Sequence, residues 1–257
     1  MKLTMLGTGH AMVTNCYNTC FLLSDKERYF LVDTGGGNGI LRQLKAIGVA
    51  VYDIHDIFIT HKHIDHLQGI YWLLRMYASA KEDLDVRIYS HREVIEIITS
   101  QTGMLFDERQ KERLSRRVEL IEVSDGEARE IIGHQVTFFD KHSSRATQYG
   151  FTMVLDEERK LTCLGDEPYT EWEREYAENS EWLMHEAFQV ETLTHGYHAT
   201  VETAAINAKK LKAKNLIIYH TEDKHLDIRK QWYTEEALRY FDGNVHVPDD
   251  LEEIDLG

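Results

Sequence analysis

The sequence predicts an α/β fold in which two β-sheets lie inside and helices cover their outer faces, with residues 1–257 forming one domain. Three observations support this prediction. Short apolar runs typical of strands alternate with segments whose apolar residues recur at helical spacing. The chain has only two prolines and no long linker or internal repeat. A histidine-rich heptad directly follows one apolar run, which indicates a strand that ends in a functional loop.

The first half of the chain contains strand-like apolar runs separated by turn residues. These predicted strands are Lys2–Leu6, Tyr17–Leu23, Tyr29–Val32, Ile57–Ile59 and Val86–Tyr89. Helical spacing extends over Ile40–Ile47, Ile70–Tyr77 and Arg92–Arg117. Because Arg92–Arg117 mixes basic and acidic residues, we expect a peripheral, solvated helical segment. The alternative is that its basic residues contact an anionic substrate.

The second half continues the alternation of strands and helices. Its predicted strands are Val118–Val123, Val136–Phe139, Phe151–Leu155, Leu161–Leu164, Trp182–Met184 and Leu216–Tyr219. Apolar residues from Val201 to Leu211 mark a helix that Thr200 is placed to cap. The C-terminal segment Asp249–Asp255 is acidic, and we expect it to be a solvated tail.

Composition limits the functions open to this chain. The formal net charge of −15 argues against a general nucleic-acid binder, because phosphate backbones attract clustered Lys and Arg. Three cysteines without a CxxC pair argue against a disulfide framework. No apolar run reaches membrane-spanning length, and the N-terminal residues lack the apolar core of a signal peptide. We therefore expect a cytoplasmic protein.

The heptad at residues 60–66 reads Thr-His-Lys-His-Ile-Asp-His. In an extended or tightly turned segment, His61 and His63 project the same way, while Asp65 and His66 continue round the turn. Imidazole nitrogens together with carboxylate oxygens suit zinc, with iron or manganese as alternatives. This layout can supply ligands to two adjacent cations. The alternative is a histidine-rich surface turn that binds no metal.

Three further side chains of metal-binding type follow predicted strands. His142, Asp166 and His220 each come just past an apolar run, as His61 does. An isolated histidine in such a position is more often a surface residue. The heptad alone, however, has too few ligands for two metals, and a rigid sheet holds strand-end side chains in place. We therefore include all three residues in the predicted site.

The chain resembles the metallo-β-lactamase superfamily, because the signature His-x-His-x-Asp-His is present at residues 61–66. This resemblance implies an α/β (α+β) fold, a four-layer αββα sandwich with a metal site at one edge. More narrowly, the chain is similar to the branch that contains ribonuclease Z and related phosphodiesterases. The segments that carry this similarity are Leu6–Gly9, Leu31–Gly35, Gly165–Asp166, His185–Ala187, His198–Thr200 and His220.

The resemblance implies a complete ligand set for two divalent metal ions. His61, His63 and His142 would bind the first ion. Asp65, His66 and His220 would bind the second, and Asp166 would bridge the two. The expected ions are Zn²⁺, with Mn²⁺ or Fe²⁺ as alternatives. Together they would turn a shared water into a hydroxide nucleophile and stabilise the charge that develops on the substrate.

Two residues outside the ligand set match a catalytic pair of the resembled branch. Glu186 and His198 would deliver a proton to the leaving group, with Asp65 as the third catalytic residue. The alternatives are a structural salt bridge for Glu186 and a helix-terminal position without a chemical role for His198. We expect the neighbouring His185 only to pack or to form hydrogen bonds.

Two N-terminal segments are expected near this site. Residues 35–37 are three glycines, but the GxxxxGK[ST] pattern of a phosphate loop is missing, so no nucleotide cofactor is predicted. In the resembled fold, Asp33 would instead support the histidine loop from outside. His10 lies in a loop that would approach the active site, where it either touches substrate or is a plain surface histidine.

The predicted function is a dinuclear metal-dependent hydrolase, a phosphodiesterase of a small anionic substrate. Ribonuclease Z carries a long basic arm between its third histidine and its bridging aspartate, but only a short segment joins His142 to Asp166. A cyclic nucleotide, a cyclic phosphate or a short nucleotide therefore fits better than tRNA or another long nucleic acid. The alternative activities are a tRNA 3′-processing endonuclease without the arm and a hydrolase of esters, lactones or thioesters.

A third class of function is a binding or regulatory protein with a vestigial site. The intact ligand set argues against it. The later motifs also argue against β-lactam hydrolysis, because they are similar to the phosphodiesterase branch. The resemblance suggests a homodimer, but the residues themselves neither support nor oppose dimerisation. No membrane partner is expected, because no apolar run reaches membrane-spanning length.

Overall fold

Two mixed β-sheets face each other in the computed structural model, which describes residues 1–190 and 197–257. Within these residues each sheet has seven strands, and the chain forms eight α-helices, one of which (Ile64–Leu67) lies where the two sheets meet. Short 3₁₀ turns at Val51–Asp53 and Glu171–Glu173 complete the regular structure of this part of the chain. No helix in it is long and apolar enough to span a lipid bilayer.

The first sheet contains most of the N-terminal half. Its strands are β1 Lys2–Gly7, β2 Cys20–Asp25, β3 Arg28–Val32, β4 Asp56–Phe58, β5 Val86–Ser90, β6 Val118–Glu122 and β14 Glu253–Asp255. The spatial order is β14-β1-β2-β3-β4-β5-β6. Neighbouring strands are antiparallel from β14 to β3 and parallel from β3 to β6.

The second sheet repeats this plan with the C-terminal half. Its strands are β7 Ala128–Ile131, β8 His134–Asp140, β9 Tyr149–Val154, β10 Lys160–Cys163, β11 Trp182–Glu186, β12 Asn215–Tyr219 and β13 Asn244–His246. The order is β13-β12-β11-β10-β9-β8-β7. Strands β7 to β10 are antiparallel, and β10 to β13 are parallel. The parallel strands of both sheets therefore end in loops that can carry functional side chains.

Helices cover the outer face of each sheet. They are α1 Gly39–Ala46, α2 Ile64–Leu67, α3 Ile70–Ser79, α4 Arg92–Leu105, α5 Glu108–Arg117, α6 Arg174–Ala177, α7 Val201–Lys210 and α8 Leu226–Ala237. The predicted cap of α7 is confirmed, because the Thr200 hydroxyl accepts a hydrogen bond from the Thr203 N–H at 3.2 Å. The predicted helical segment 92–117 is two helices, since Asp107 forms a capping box that begins α5.

Three apolar layers hold the sandwich together. Aromatic rings from both sheets meet in the central layer, where Phe58 lies 4.8 Å from Phe138 and 5.9 Å from Phe151 between ring centroids. A second layer packs the first sheet against its helices, and a third packs the second sheet against α7 and α8. The predicted four-layer αββα sandwich is confirmed.

Two predictions about the ends of elements were wrong. Residues 17–19 do not belong to β2, because the Tyr17 hydroxyl donates hydrogen bonds to the carbonyls of Thr34 and Gly37 and holds a loop. The C-terminal segment is also not a solvated tail. It forms β14, which pairs with β1 and buries Ile254. The acidic composition of this segment does not reveal that it pairs with β1.

A buried arginine joins the loops at one end of the sandwich. The Arg229 side chain on α8 is fully buried and donates to the Thr8 and Thr221 hydroxyls at 3.1 and 2.7 Å. It also donates to the Pro248 carbonyl and the Asp249 carboxylate, both at 2.8 Å. Thr221 directly follows His220, so this network fixes the strand end that carries a predicted metal ligand.

We expect Arg229→Ala to lower the free energy of unfolding by about 3 kcal/mol or more, because it leaves several buried acceptors without a donor. Urea denaturation measures this difference. Arg239→Ala is the control, since its side chain is 68% exposed and pairs with Glu236, and an exposed pair contributes about 0–1 kcal/mol. Equal losses for the two variants would contradict the assigned role of Arg229.

Candidate metal centre

The histidine heptad lies where the two sheets meet. Ile59 continues from β4 by donating its N–H to the Tyr89 carbonyl of β5. Thr60 then accepts from the Tyr149 N–H of β9, and His61 forms an isolated β-bridge with Gln148. Backbone hydrogen bonds therefore attach the start of the heptad and the residue before it to both sheets, before α2 begins at Ile64. This double attachment places its side chains over the carboxyl end of β10.

The first group of candidate ligands consists of His61, His63 and Asp166. Their ligand atoms all lie within 4.8 Å of one another. His61 Nε2 is 2.8 Å from His63 Nδ1 and 3.6 Å from Asp166 Oδ2. Burial lowers the pKa of His61 well below its ordinary value. Its imidazole is therefore neutral, which is the form that binds a metal.

The second group consists of Asp65, His66 and His220, whose ligand atoms also lie within 4.8 Å of one another. Asp65 Oδ2 is 3.3 Å from His66 Nε2 and 3.7 Å from His220 Nε2. Asp166 Oδ2 is 3.4 Å from His66 Nε2 and 3.3 Å from His220 Nε2. One oxygen of Asp166 therefore lies beside both groups, as a bridging ligand requires.

The electrostatics of this cluster suit a cation. Burial alone would raise the pKa of Asp166, but the surrounding histidines outweigh it and hold the pKa well below its ordinary value. Within the described residues, His66 Nε2 and both ring nitrogens of His220 have no hydrogen-bond partner although they are buried. Buried polar atoms without partners are costly. Divalent ions would satisfy these nitrogens and balance the two carboxylates.

Asp33 supports the cluster as the sequence predicts. Its carboxylate accepts from His66 Nδ1 at 2.7 Å and from the Thr60 N–H at 2.8 Å. This contact leaves His66 Nε2 to face Asp65 and Asp166. Asp33 and His220 both have left-handed backbone conformations, with φ of 57° and 58°. Such conformations are uncommon outside glycine and often occur at functional sites.

His142 is the one predicted ligand that the structure does not bring to the cluster. Its side chain is 52% exposed and its Nδ1 lies 3.8 Å from Asp140. Its ring also lies at the edge of Trp172, with 5.7 Å between ring centroids. Gln148 occupies the neighbouring position at the site and donates to Asp166 Oδ1 at 2.5 Å. The ligand role of His142 stays a prediction.

Glu186 and His198 lie beside the second group. Glu186 at the end of β11 is fully buried, and its Oε2 is 3.6 Å from His198 Nδ1. Burial raises the pKa of Glu186. Burial alone would lower the pKa of His198, but the effect of the adjacent Glu186 carboxylate is larger, and the pKa of His198 is raised. The pair is therefore suited to holding a proton next to His220, whose ring centroid is 5.2 Å from that of His198.

His185 has the structural role that the sequence predicts. Its side chain is completely buried, with Nδ1 2.6 Å from the Glu186 carbonyl and Nε2 3.1 Å from the Asn207 side-chain amide. Both ring nitrogens are thus occupied away from the cluster.

In α4 and α5, Arg92 and Arg116 pair with acidic residues of their own helices. Arg113 donates to the Ala78 carbonyl, and Arg117 donates to the Tyr77 and Ala80 carbonyls.

A cavity of about 480 Å³ opens over the two groups and contains a basic residue that sequence reasoning missed. Arg145 lines this cavity with His63, Asp65, His198 and other site residues. Its guanidinium lies 4.9 Å from the centroid of the Tyr197 ring, and Nη1 is 3.8 Å from Glu167. The only signal in the sequence was its position between His142 and Asp166. A cation here favours an anionic substrate.

Comparison with known proteins agrees with this fold. The protein-family model described as anti-Pycsar protein Apyc1 matches residues 1–239. Apyc1 of Bacillus phage vB_BsuM-Goe3 is 25% identical over 214 residues, covering 78% of this chain and 80% of that protein. Ribonuclease Z of Archaeoglobus fulgidus is 23% identical over an alignment of 303 positions, covering 96% and 95%.

Two solved structures have the same architecture. The metallo-β-lactamase fold protein YhfI from Bacillus subtilis has a TM-score of 0.81 with 19% identity and covers 99% of both chains. Human tRNase Z, short form, has a TM-score of 0.78 with 21% identity over the full length of both chains. At this level of identity the likeness establishes the fold.

We expect Asp33→Asn to weaken zinc binding by about 10–100-fold, because the amide no longer holds His66 in the orientation and basicity that a metal ligand needs. Competition with a chromophoric chelator measures the affinity. Asp25→Asn is the matched control, since Asp25 pairs with Arg28 at the far end of β2. Unchanged zinc affinity in Asp33→Asn would show that the cluster does not bind metal through His66.

Proposed function

The chain belongs to the anti-Pycsar protein Apyc1 family, in the ribonuclease Z-like branch of the metallo-β-lactamase superfamily of metal-dependent hydrolases, and on that premise we propose that it is a dinuclear phosphodiesterase. The proposed substrate is a small phosphodiester such as a cyclic nucleotide, a cyclic phosphate or a short nucleotide. The observation that carries this proposal is the position of Asp166 Oδ2, within 3.6 Å of nitrogens of His61, His66 and His220.

The donor set fits two divalent cations, and Zn²⁺ is the proposed ion. His61 and His63 would hold the first ion, and His142, which lies outside the cluster, is the predicted third histidine of that ion. Asp65, His66 and His220 would hold the second, and Asp166 would hold both. Bound divalent cations would lower the pKa of water toward neutrality and act as Lewis acids on a phosphoryl oxygen.

Other residues of the protein would position the metal ligands, attract the substrate and donate a proton to the leaving group. Asp33 fixes His66, and backbone hydrogen bonds of Ile59 to β5 and of Thr60 to β9 fix the start of the heptad. Arg145 faces the cavity and would attract the negative phosphodiester to it. His198, held by Glu186, would donate a proton to the oxygen that leaves phosphorus.

Several observations support a small substrate. Strands β9 and β10 lie between His142 and Asp166, and the loops around them are too short to form a long substrate-binding arm. The net charge of −15 would repel a long nucleic acid outside the cavity. A ribonuclease cleaves phosphodiester bonds, so the similarity to proteins named ribonuclease Z supports the class of reaction. A carboxylic ester or lactone lacks the charge that Arg145 would recognise.

We expect Asp166→Ala to abolish hydrolysis of bis-p-nitrophenyl phosphate and to reduce bound metal, because the variant loses the carboxylate shared by the two groups. Release of p-nitrophenolate and elemental analysis of the same preparation measure the two effects. Asp156→Ala is the control, since Asp156 is exposed and pairs with Arg159. Undiminished turnover by Asp166→Ala would defeat the proposal. Turnover of lactones or esters without any phosphodiester activity would favour the alternative hydrolase.

We expect His198→Ala to lower kcat by about 10²–10⁴-fold for a cyclic nucleotide, whose leaving alkoxide needs a proton. The loss should be much smaller for bis-p-nitrophenyl phosphate, because p-nitrophenolate is stable without protonation. Steady-state kinetics with both substrates provide the comparison. Equal losses for the two substrates would indicate that His198 acts on binding or structure rather than as a proton donor.

A further inference from the structure

We propose that a second cavity next to the metal centre binds the nucleobase of a cyclic nucleotide, an inference that rests on the proposed phosphodiesterase function. This cavity, here called the side pocket, has a volume of about 390 Å³. Its lining includes His10, Phe188, Glu222, Asp223, His225 and Trp232. The volume lies in the range of pockets that enclose small organic ligands.

The aromatic ring of His10 lies between the side pocket and the cavity over the metal cluster. His10 lines both cavities and forms the partition between them. The centroid of its ring is 6.4 Å from that of His220 and 4.5 Å from that of Phe188. Phe188 in turn stacks on His198 at 5.8 Å. In a nucleotide a single sugar ring separates the phosphate from the base. A phosphate at the cluster would therefore direct the base into the side pocket.

The walls suit a flat, unsaturated ring. Phe188 and His10 meet edge to face at one end, with 65° between their ring planes. At the other end Trp232 of α8 lies 5.4 Å from His225, with the two rings nearly perpendicular. Trp232 is partly exposed, so one of its surfaces is open to a ligand. Aromatic side chains bind bases of any sequence because every base has a π-face.

Two carboxylates give this pocket its polarity. Glu222 is only 6% exposed and accepts from the Lys224 N–H at 2.6 Å, with His225 Nδ1 3.1 Å away. Asp223 accepts from the N–H groups of Thr14 and Asn15 at 2.6 and 2.8 Å. These contacts hold the carboxylates in place, and each carboxylate has further lone pairs for an N–H on the edge of a base. Lys224 also lines the pocket, so its walls carry charges of both signs.

A paired change in the substrate and the protein tests this inference. The substrates are a nucleoside 3′,5′-cyclic phosphate and the methyl riboside 3′,5′-cyclic phosphate, which has no base. For the wild-type enzyme we expect kcat/KM to be at least about tenfold higher with the nucleotide, because only the nucleotide stacks. In Trp232→Ala this ratio should fall toward one, which is the coupling that a double-mutant cycle measures.

Two further variants make the result decisive. Trp72→Ala is the matched control, because Trp72 is 46% exposed on α3 outside both cavities, and it should keep the wild-type ratio. His225→Ala, which removes a half-exposed ring from the same wall, tests the pocket again if Trp232→Ala fails to fold. If the pocket variants hydrolyse both substrates and keep the wild-type ratio of the two kcat/KM values, the side pocket does not bind the base, although the phosphodiesterase activity stands. Hydrolysis of neither substrate by the wild-type enzyme would overturn the phosphodiesterase as well.

Discussion

Burial of the Asp166 carboxylate among the imidazoles of His61, His66 and His220 is the interaction on which the whole site depends. A buried charge is tolerated only when opposite charge or hydrogen bonds compensate it. Asp166 follows β10, and the compensating histidines lie in segments that follow β4 of the first sheet and β12 of the second sheet. The sandwich must therefore close correctly before the cluster exists. The packing of the aromatic layer between the sheets is therefore required for the site to form.

The remaining features follow from that arrangement. Residues that hold the cluster lie one contact further out, where Asp33 orients His66 and Arg229 fixes the loop after His220. His198 and Arg145 both face the cavity, where His198 would be the proposed proton donor and Arg145 supplies a positive charge. The side pocket is a second cavity that shares His10 with the first, so base binding and chemistry would take place on the two sides of one ring.

Local patterns predicted most strands and the helices α1, α3 and α7, because each has a clear apolar period and adequate length. Strands β7 and β13 were missed, since they are short edge strands whose residues are largely polar or exposed. Helix α8 was missed because its apolar residues do not form a single stripe, and its fully buried side chains include Arg229. Charge alone also misassigned the C-terminal segment, which pairs with β1.

The sequence by itself determined the fold class and the types of metal-binding residue. The heptad and the strand-end residues are local patterns, and they can be recognised without knowing which residues they contact in the fold. Only the tertiary structure decided which of these side chains converge, and it left His142 outside the cluster while adding Gln148 and Arg145. It also decided that Phe188 and Trp232 line one pocket, although 44 positions separate them in the sequence. The physical reason is that distances between strand ends are set by sheet pairing and by core packing, and neither is encoded in the spacing of residues along the chain.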